Sequence, residues 1–329
     1  MNINRRHLLA ATAATAAGLA LPWTAASMAQ AWPTRPIRMV SPYGAGGSSD
    51  ILTRVLGDFL GRKLGQSIVV ENKSGAGTRI ANDFVAKAPP DGYTLLHAAA
   101  PIAIGEALYK DLPYDVHKSF ASIAGTAIAP LFLIANADAP YKSLAEFIKY
   151  AKGNPKGATF GSPGAGSAPH LTAELLLRAA DVKGVVVQYR GDAPAYTDLL
   201  GGRIDATLTA ISTAIPHIQA GKLRVLGVAT EERSPLYPDA PTLREQGLSS
   251  VVGYGWYGML APAGTPATII ERLNAELNAA VADADVRRKA EAAGLQLRSG
   301  SAAEFSTFIT SETRKWAQII KSANITAES

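Results

Sequence analysis

Short apolar runs alternate with amphipathic stretches along most of the chain. Ile37 to Val40, Ile68 to Val70 and Thr94 to Ala99 read as strands, and Asp50 to Leu64 and Ile80 to Ala88 read as helices between them. The rhythm resumes after Ser143. Ser143-Leu144-Ala145-Glu146 has the form of a capping box; Thr159 to Gly161 follows as strand, Leu171 to Ala180 as helix, and Val185 to Gln188, Ala206 to Thr209 and Leu223 to Ala229 as further strands. Thr265-Pro266 predicts a helix start with a cap and a first-turn proline, and Ser301-Ala302-Ala303-Glu304 boxes the start of a long last helix. Alternating strands and helices call for a mostly parallel sheet flanked by helices on both faces. Two such stretches predict an α/β fold in two units, with Leu131 to Ala135 and Met259 to Ala261 as strands passing between them. Two crossings make a hinge.

Composition narrows the function without changing the fold. The 329 residues are 47% hydrophobic and 18% charged, which excludes intrinsic disorder and suits two domains with cores of their own. Cysteine is absent, so thiol nucleophiles, disulfides, iron-sulfur clusters and cysteine-bound zinc are excluded. The net charge is +5 and falls to +3 without Arg5 and Arg6; no basic run exceeds Arg287-Arg288-Lys289, so no nucleic-acid partner is expected. Arg5 and Arg6 precede an apolar stretch from Leu8 to Leu21, then Pro22 and small residues ending at Ala31. That is the order of an export signal, too short at its apolar centre to span a bilayer as a helix. Cleavage near Ala31 would release a periplasmic protein beginning at Trp32. The pair Arg5-Arg6 fits twin-arginine export and ordinary export alike.

Signatures of catalysis are missing. The chain has no G-x-S-x-G elbow, no G-x-x-x-x-G-K-[ST] phosphate loop and no H-x-x-x-H pair. Gly44-Ala45-Gly46-Gly47 stands where a dinucleotide loop would, but Ser49 occupies the third glycine position. No cofactor and no metal are therefore expected. Three glycine-rich loops of one kind remain, each following a strand and leading to a helix start: Ser41 to Asp50, Ser74 to Arg79 and Gly161 to His170. Glycine lets a ligand approach the backbone closely, and a helix start offers unpaired N–H groups at the positive end of its dipole. Such loops suit a carboxylate or a phosphate.

At these loops the sequence resembles the periplasmic substrate-binding proteins of tripartite tricarboxylate transporters, also called Bug proteins. Four segments carry the likeness: Ser41-Pro42-Tyr43-Gly44-Ala45-Gly46-Gly47-Ser48-Ser49-Asp50; Val69 to Gly77 continuing to Pro90-Asp91-Gly92-Tyr93-Thr94-Leu95-Leu96; Phe160 to His170 with Ala173-Glu174-Leu175; and Gln188-Tyr189-Arg190-Gly191 through Pro194-Ala195 to Asp198-Leu199-Leu200-Gly201-Gly202-Arg203-Ile204-Asp205. The resemblance implies a two-lobed clam shell, with residues 32–133 and 254–329 as lobe 1, residues 134–253 as lobe 2, and a small organic carboxylate clamped between them. It implies a carboxylate pocket from Tyr43, Ala45, Gly46, Gly47 and Ser48 with Gly77 and Thr78, closed at the other end by Ser162, Gly166, Ser167, His170, Tyr189 and Asp205. The implied partners are the large and small transporter membrane subunits, or the membrane protein of a sensor. A monomer that performs no reaction is expected.

Some positions depart from the family pattern. Ala45 stands where proline is common, and Thr78 replaces a glycine, which would place a hydroxyl and a Cβ beside the ligand. Arg79 stands where a small residue is usual; it either pairs with a second carboxylate or points into solvent. His170 either touches the ligand or bonds local backbone, and Asp205 either accepts from the ligand or caps a turn.

Overall fold

The computed structural model describes residues 32–164, 166–189, 192–323 and 325–326, and the export signal expected over residues 1–31 lies outside them. In chain order the elements are β1 (Ile37–Ser41), α1 (Ser48–Leu64), β2 (Ile68–Asn72), α2 (Arg79–Ala86), β3 (Thr94–Ala99), α3 (Pro101–Leu108), β4 (Phe120–Pro130), β5 (Phe132–Asn136), α4 (Leu144–Gly153), β6 (Ala158–Ser162), α5 (Ala168–Ala179), β7 (Gly184–Gln188) and α6 (Asp192–Leu200). There follow β8 (Ala206–Thr209), α7 (Ile215–Gln219), β9 (Leu223–Val228), β10 (Tyr254–Pro262), α8 (Ala267–Ala282), α9 (Ala284–Ala292), β11 (Gln296–Leu297) and α10 (Ala302–Ala323). Short 3₁₀ turns occupy Ala76–Thr78 and Ile211–Thr213. Every strand and helix expected from periodicity is present, with ends displaced by up to three residues, except that the strand holding Met259 to Ala261 begins five residues earlier, at Tyr254.

The strands form two sheets, ordered β11-β4-β10-β3-β1-β2 and β7-β6-β8-β5-β9. Pairing is parallel for β1 with β2 and β3, and for β6 with β7 and β8, as strand–helix alternation requires. It is antiparallel wherever β10 or β5 takes part. Topology explains the exception. A strand that brings the chain into a lobe from the other lobe must run away from the boundary, whereas the parallel strands end there. The sheets are therefore mixed, with their parallel parts where the periodicity placed them.

The chain passes between the sheets at Leu131, the single residue separating β4 from β5, and returns between Val228 and Tyr254. The backbone is stitched there, with the Ala229 amide on the Leu131 carbonyl and the Gly253 amide on the Ala229 carbonyl, both at 2.8 Å. Met259 to Ala261, expected to cross, instead lies inside β10 and pairs with β3 and β4. It reads like a crossing because a strand buried on both faces is continuously apolar.

Alternation along the strands sorts side chains to two faces of each sheet. In the first, Met39 and Leu95 pack with Leu52, Leu56, Leu273 and Leu277 of α1 and α8, while Val40 and Leu96 share a cluster with Trp256, Phe305 and Trp316. In the second, Leu133 and Phe160 meet Phe147 and Leu176 of α4 and α5, and Phe132 and Ile134 meet Leu199 of α6. Leu171 of α5 belongs to the core of the first lobe, and Arg178 of α5 donates to Ser322 of α10 at 3.1 Å, so one side of the boundary is a packed contact. The caps at Ser143 and Ser301 form as expected, each hydroxyl accepting the amide three residues on, at 3.2 and 3.1 Å. Thr265 does not cap: its hydroxyl donates to the Pro262 carbonyl at 2.7 Å, and α8 begins after Pro266.

Candidate functional site

In both lobes the parallel strands end at the boundary between sheets, so the loops that follow β1, β2 and β6 open on one cleft, where open α/β sheets bind ligands. The first two loops are neighbours because Ser41 pairs with Asn72. One hydrogen-bond network centred on the buried Asp50 carboxylate fixes the first loop. Asn72 Nδ2 donates to the Tyr43 carbonyl at 2.9 Å and to Asp50 Oδ1 at 2.8 Å, while Asp50 Oδ2 accepts the Gly46 amide and Arg54 Nε, each at 3.0 Å. Burial by itself would raise the Asp50 carboxyl, but hydrogen bonds from Arg54, the Gly46 amide and Asn72, with the Arg54 charge, outweigh it and bring the pKa down to about 2. The first turn of α1 also favours an anion at Asp50.

This network decides which donors a ligand can use. The Gly46 amide is taken, and the Ser48 hydroxyl, expected to face the ligand, donates to the Ala293 carbonyl at 2.8 Å. The amides of Ser48, Ser49 and Asp50 open α1 and have no partner within the helix, which leaves the start of α1 as an anion cradle. Tyr43 closes one side. It is 36% exposed, yet protein crowded about its hydroxyl, with the Tyr257 phenol beside it, pushes the pKa up, the combination expected of a side chain lining a cleft.

The second loop is left-handed over four consecutive residues, with φ of +129° at Gly75, +48° at Ala76, +60° at Gly77 and +73° at Thr78. Each non-glycine residue there costs about 1 kcal/mol, strain that persists only where surroundings enforce it. The enforcing contacts run inward. The Thr78 hydroxyl accepts Asn82 Nδ2 at 3.1 Å, and the same Nδ2 donates to the Tyr114 hydroxyl at 2.9 Å. Thr78 is buried, so the expectation of a hydroxyl and Cβ beside the ligand is corrected. Arg79 makes local contacts that neither reading included: Nε donates to the Ala76 carbonyl at 2.8 Å, and the guanidinium lies 3.9 Å above the Tyr109 ring. It braces the loop.

In the second lobe the loop after β6 is also closed on itself. Ser167 caps α5, accepting the His170 amide at 3.3 Å and donating to the Gly164 carbonyl at 2.7 Å, and the Ser162 hydroxyl lies 3.3 Å from that of Ser167. His170 is buried; its Nδ1 accepts the Gly166 amide at 3.0 Å, and its Nε2 lies 4.0 Å from Glu174. Burial lowers its pKa, so the ring is neutral and serves as a backbone clamp, the local one of its two readings. The end of α3 joins the loops: a Cβ on Gly77 would lie 3.1 Å from the Tyr109 hydroxyl, and one on Gly166 would lie 2.4 Å from Leu108 Cδ2.

Of the two remaining expected residues, Tyr189 adjoins the third loop, its amide donating to the Ser162 carbonyl at 2.8 Å, and only Asp205 stands apart. Tyr189 follows β7 and donates to Asp198 Oδ2 at 2.7 Å; burial, and then this bond, push its phenol up to about 12. Asp205 is not part of the cleft. It immediately precedes β8 at the far end of the sheet, where Oδ2 accepts the Thr159 amide at 2.7 Å and the Tyr150 hydroxyl lies 3.3 Å from Oδ1. Thr159 and Ser162 are three residues apart along β6, about 10 Å at strand rise. Its carboxylate ties the starts of the neighbouring interior strands β6 and β8.

The sequence did not single out Asn72 and Arg54 as loop clamps, nor Leu108 and Tyr109. Asp50, four residues after Gly46 in the first turn of a helix, carried a usable signal; the others meet the loops only through tertiary packing. A separate cavity of about 260 Å³ lies beside α10, lined by Tyr254, Trp256, Arg298, Phe305 and Phe308, and no candidate residue lines it.

Comparison with known proteins agrees with this architecture. Residues 52–325 match the family described as "Tripartite tricarboxylate transporter family receptor". Protein BugT of Bordetella pertussis is 33% identical over 323 residues, covering 98% of each chain. Among solved structures, an R. palustris protein with adipate superposes with a TM-score of 0.79 at 32% identity, over 90% of this chain and 99% of that one. MatC from Rhodopseudomonas palustris with bound malate gives 0.75 at 31% identity, over 88% and 100%. This chain belongs to the tripartite tricarboxylate transporter receptor family, the Bug proteins, and is a solute-binding receptor, not an enzyme.

Proposed function

We propose that the protein captures a small organic carboxylate in the cleft between its lobes, in the periplasm, and presents it to the large and small membrane subunits of a tripartite tricarboxylate transporter. The observation that carries this reading is the economy of the site. Most polar side chains around the three loops are spent on one another, with the buried Ser41 and Ser49 hydroxyls left unpaired at the first, so the backbone amides at the start of α1 and in the loop after β2 are the main donors. Neutral amides held in place suit an anion that must be both bound and released. Adipate and malate on two relatives support a dicarboxylate; tricarboxylates, acidic amino acids and aromatic acids present the same group. Ligand-driven closure follows from contacts on both lobes that exist together only when the cleft is shut. The mature chain from Trp32 acts as a monomer. A sensor role would use the same binding chemistry and differ only in the membrane partner.

A thermal-shift series of the mature protein against adipate, malate, citrate, aspartate and benzoate tests the reading. One class of acid should raise Tm progressively as RT ln(1 + [L]/Kd) requires, by an amount near 2.7 kcal/mol of stabilisation at about 100 times Kd. No shift with any acid, from protein shown to be folded and ligand-free, would contradict it.

A further inference from the structure

The lobes also touch on the side of the cleft opposite α5, away from the packed α5–α10 contact. Gly294 follows α9 in the first lobe, and Ser212 lies in the 3₁₀ turn after β8 in the second. A Cβ on Gly294 would lie 2.6 Å from Ser212 Oγ, 2.8 Å from its Cβ and 3.4 Å from its backbone nitrogen. Only a bare Cα lets the turn come this close. Gly294 has φ +76° and ends α9 with its amide on the Glu291 carbonyl at 2.9 Å, while the Leu295 amide returns to Ala290 at 2.9 Å, so this corner is fixed in the first lobe. Ser212 is held equally firmly in the second, because Ile211 before it is buried in that lobe's core. The residue before Gly294 is Ala293, whose carbonyl takes the Ser48 hydroxyl at 2.8 Å. The anion cradle at the start of α1 is therefore one hydrogen bond away from the contact between lobes.

We propose that Gly294 and Ser212 form a closing contact outside the ligand pocket that sets the affinity for ligand. The proposal rests on the reading of the protein as a carboxylate receptor that closes on its ligand. Closure brings Ser212 onto the bare face of Gly294, and the Ser48–Ala293 bond holds that corner in register with the cradle. A side chain at position 294 wedges the lobes apart and lowers the fraction of molecules able to close. Apparent affinity falls by that fraction, since apparent Kd is the intrinsic value divided by the competent population.

The test is a cycle of Gly294→Ala, Ser212→Gly and the double variant. Gly294→Ala should weaken binding of the best acid by about tenfold or more. Ser212→Gly alone loses the packing of the contact but leaves room to close, and should weaken binding by no more than about threefold. The double variant removes the atoms that the new Cβ strikes while leaving its backbone strain, so it should recover affinity to within about threefold. Tm without ligand reads the strain separately and should fall equally for Gly294→Ala and the double variant. A double variant that binds as weakly as Gly294→Ala, or a Gly294→Ala protein that binds like wild type, overturns the proposal. Lobe distance provides a readout independent of the ligand: the chain has no cysteine, so cysteines placed at exposed Lys63 and Lys149 can carry spin labels. If wild type binds none of the acids, the receptor reading fails by itself. The contact is then judged on the labels, which should report a wider separation in Gly294→Ala and the wild-type distance in the double variant; unchanged distances in all three overturn it.

Discussion

An Asp50→Ala protein is expected to lose about hundredfold or more in carboxylate affinity, roughly 2.7 kcal/mol, and to unfold about 2 to 4 kcal/mol more easily. The carboxylate is the one acceptor that ties three parts of the site together: the Gly46 amide in the first loop, Asn72 at the end of β2 and Arg54 one turn along α1. Its removal leaves the Gly46 amide without its acceptor and frees Asn72 Nδ2, the group that also holds the Tyr43 carbonyl. The first loop then samples conformations in which the amides of Ser48 and Ser49 no longer converge, and the ordering cost passes to the ligand. Arg54 is half exposed and keeps its charge in water, which places the stability loss below that of a fully buried pair. Calorimetric titration and urea unfolding measure the two effects separately. Binding within threefold of wild type would mean the loop holds its shape without the clamp. The pH dependence has a definite sign. The folded pKa of about 2 lies below the unfolded value near 3.9, so the stabilisation is complete above pH 4 and is lost as pH falls toward 2.

Acid should weaken the fold well before Asp50 titrates, because of His97. This residue is fully buried beneath the cleft, with Nδ1 at 2.7 Å from the Thr53 hydroxyl, Nε2 at 3.1 Å from the Thr126 hydroxyl and its ring stacked 5.6 Å from that of Tyr257. Thr53 donates its own proton to the Ser49 carbonyl at 2.6 Å, so it accepts from Nδ1–H, and Nε2 accepts from Thr126. Both partners suit a neutral ring, and burial lowers the pKa to about 3. The unfolded chain protonates this histidine near pH 6.5 and the folded one does not. Stability from this site is therefore complete above pH 6.5 and falls by about 1.4 kcal/mol per pH unit as pH drops toward 3. Urea unfolding at pH 7.5 and 5.0 should show about 2 kcal/mol lost from His97, with His170, also depressed by burial, adding to it in the same sense. A His97→Gln variant should be less stable at pH 7.5 and markedly less sensitive to pH. An unchanged slope would mean that the ring is already solvated in the folded state.

Most of the fold is legible in the sequence because strand and helix periods are local signals. Thr94–Ala99 and Ala206–Thr209 are strands with the ends the pattern predicts, and Ser301 caps α10 through the box its spacing suggests. Direction was less legible: β5 and β10 oppose their neighbours because the chain enters each lobe through them, and no single run of residues encodes that. The glycine loops could be found from composition, and they do gather at the strand ends. The roles of their polar side chains could not. Thr78, Arg79, Ser162, Ser167 and His170 have the chemistry of ligand contacts, yet their partners are Asn82, Tyr109, Gly164, each other and Gly166. Side-chain hydrogen bonds that preorganise a backbone look the same in sequence as those that reach a ligand. Asp205 was expected in the site from the family likeness, whereas it precedes a parallel strand whose start lies about a strand length from the cleft.

The central claim is that backbone amides of the loops after β1 and β2, faced by the loop after β6, hold the ligand's carboxylate. Amide spectra of ¹⁵N-labelled protein during titration with the tightest-binding acid test it most directly. The account predicts saturating shifts at Ala45, Gly47, Ser48, Ser49 and Gly77, weaker ones at Gly166 and Ser167, and none at Thr159 or Asp205. Silent loops with shifts centred on Trp256, Arg298 and Phe305 would move the site to the cavity beside α10 and contradict it.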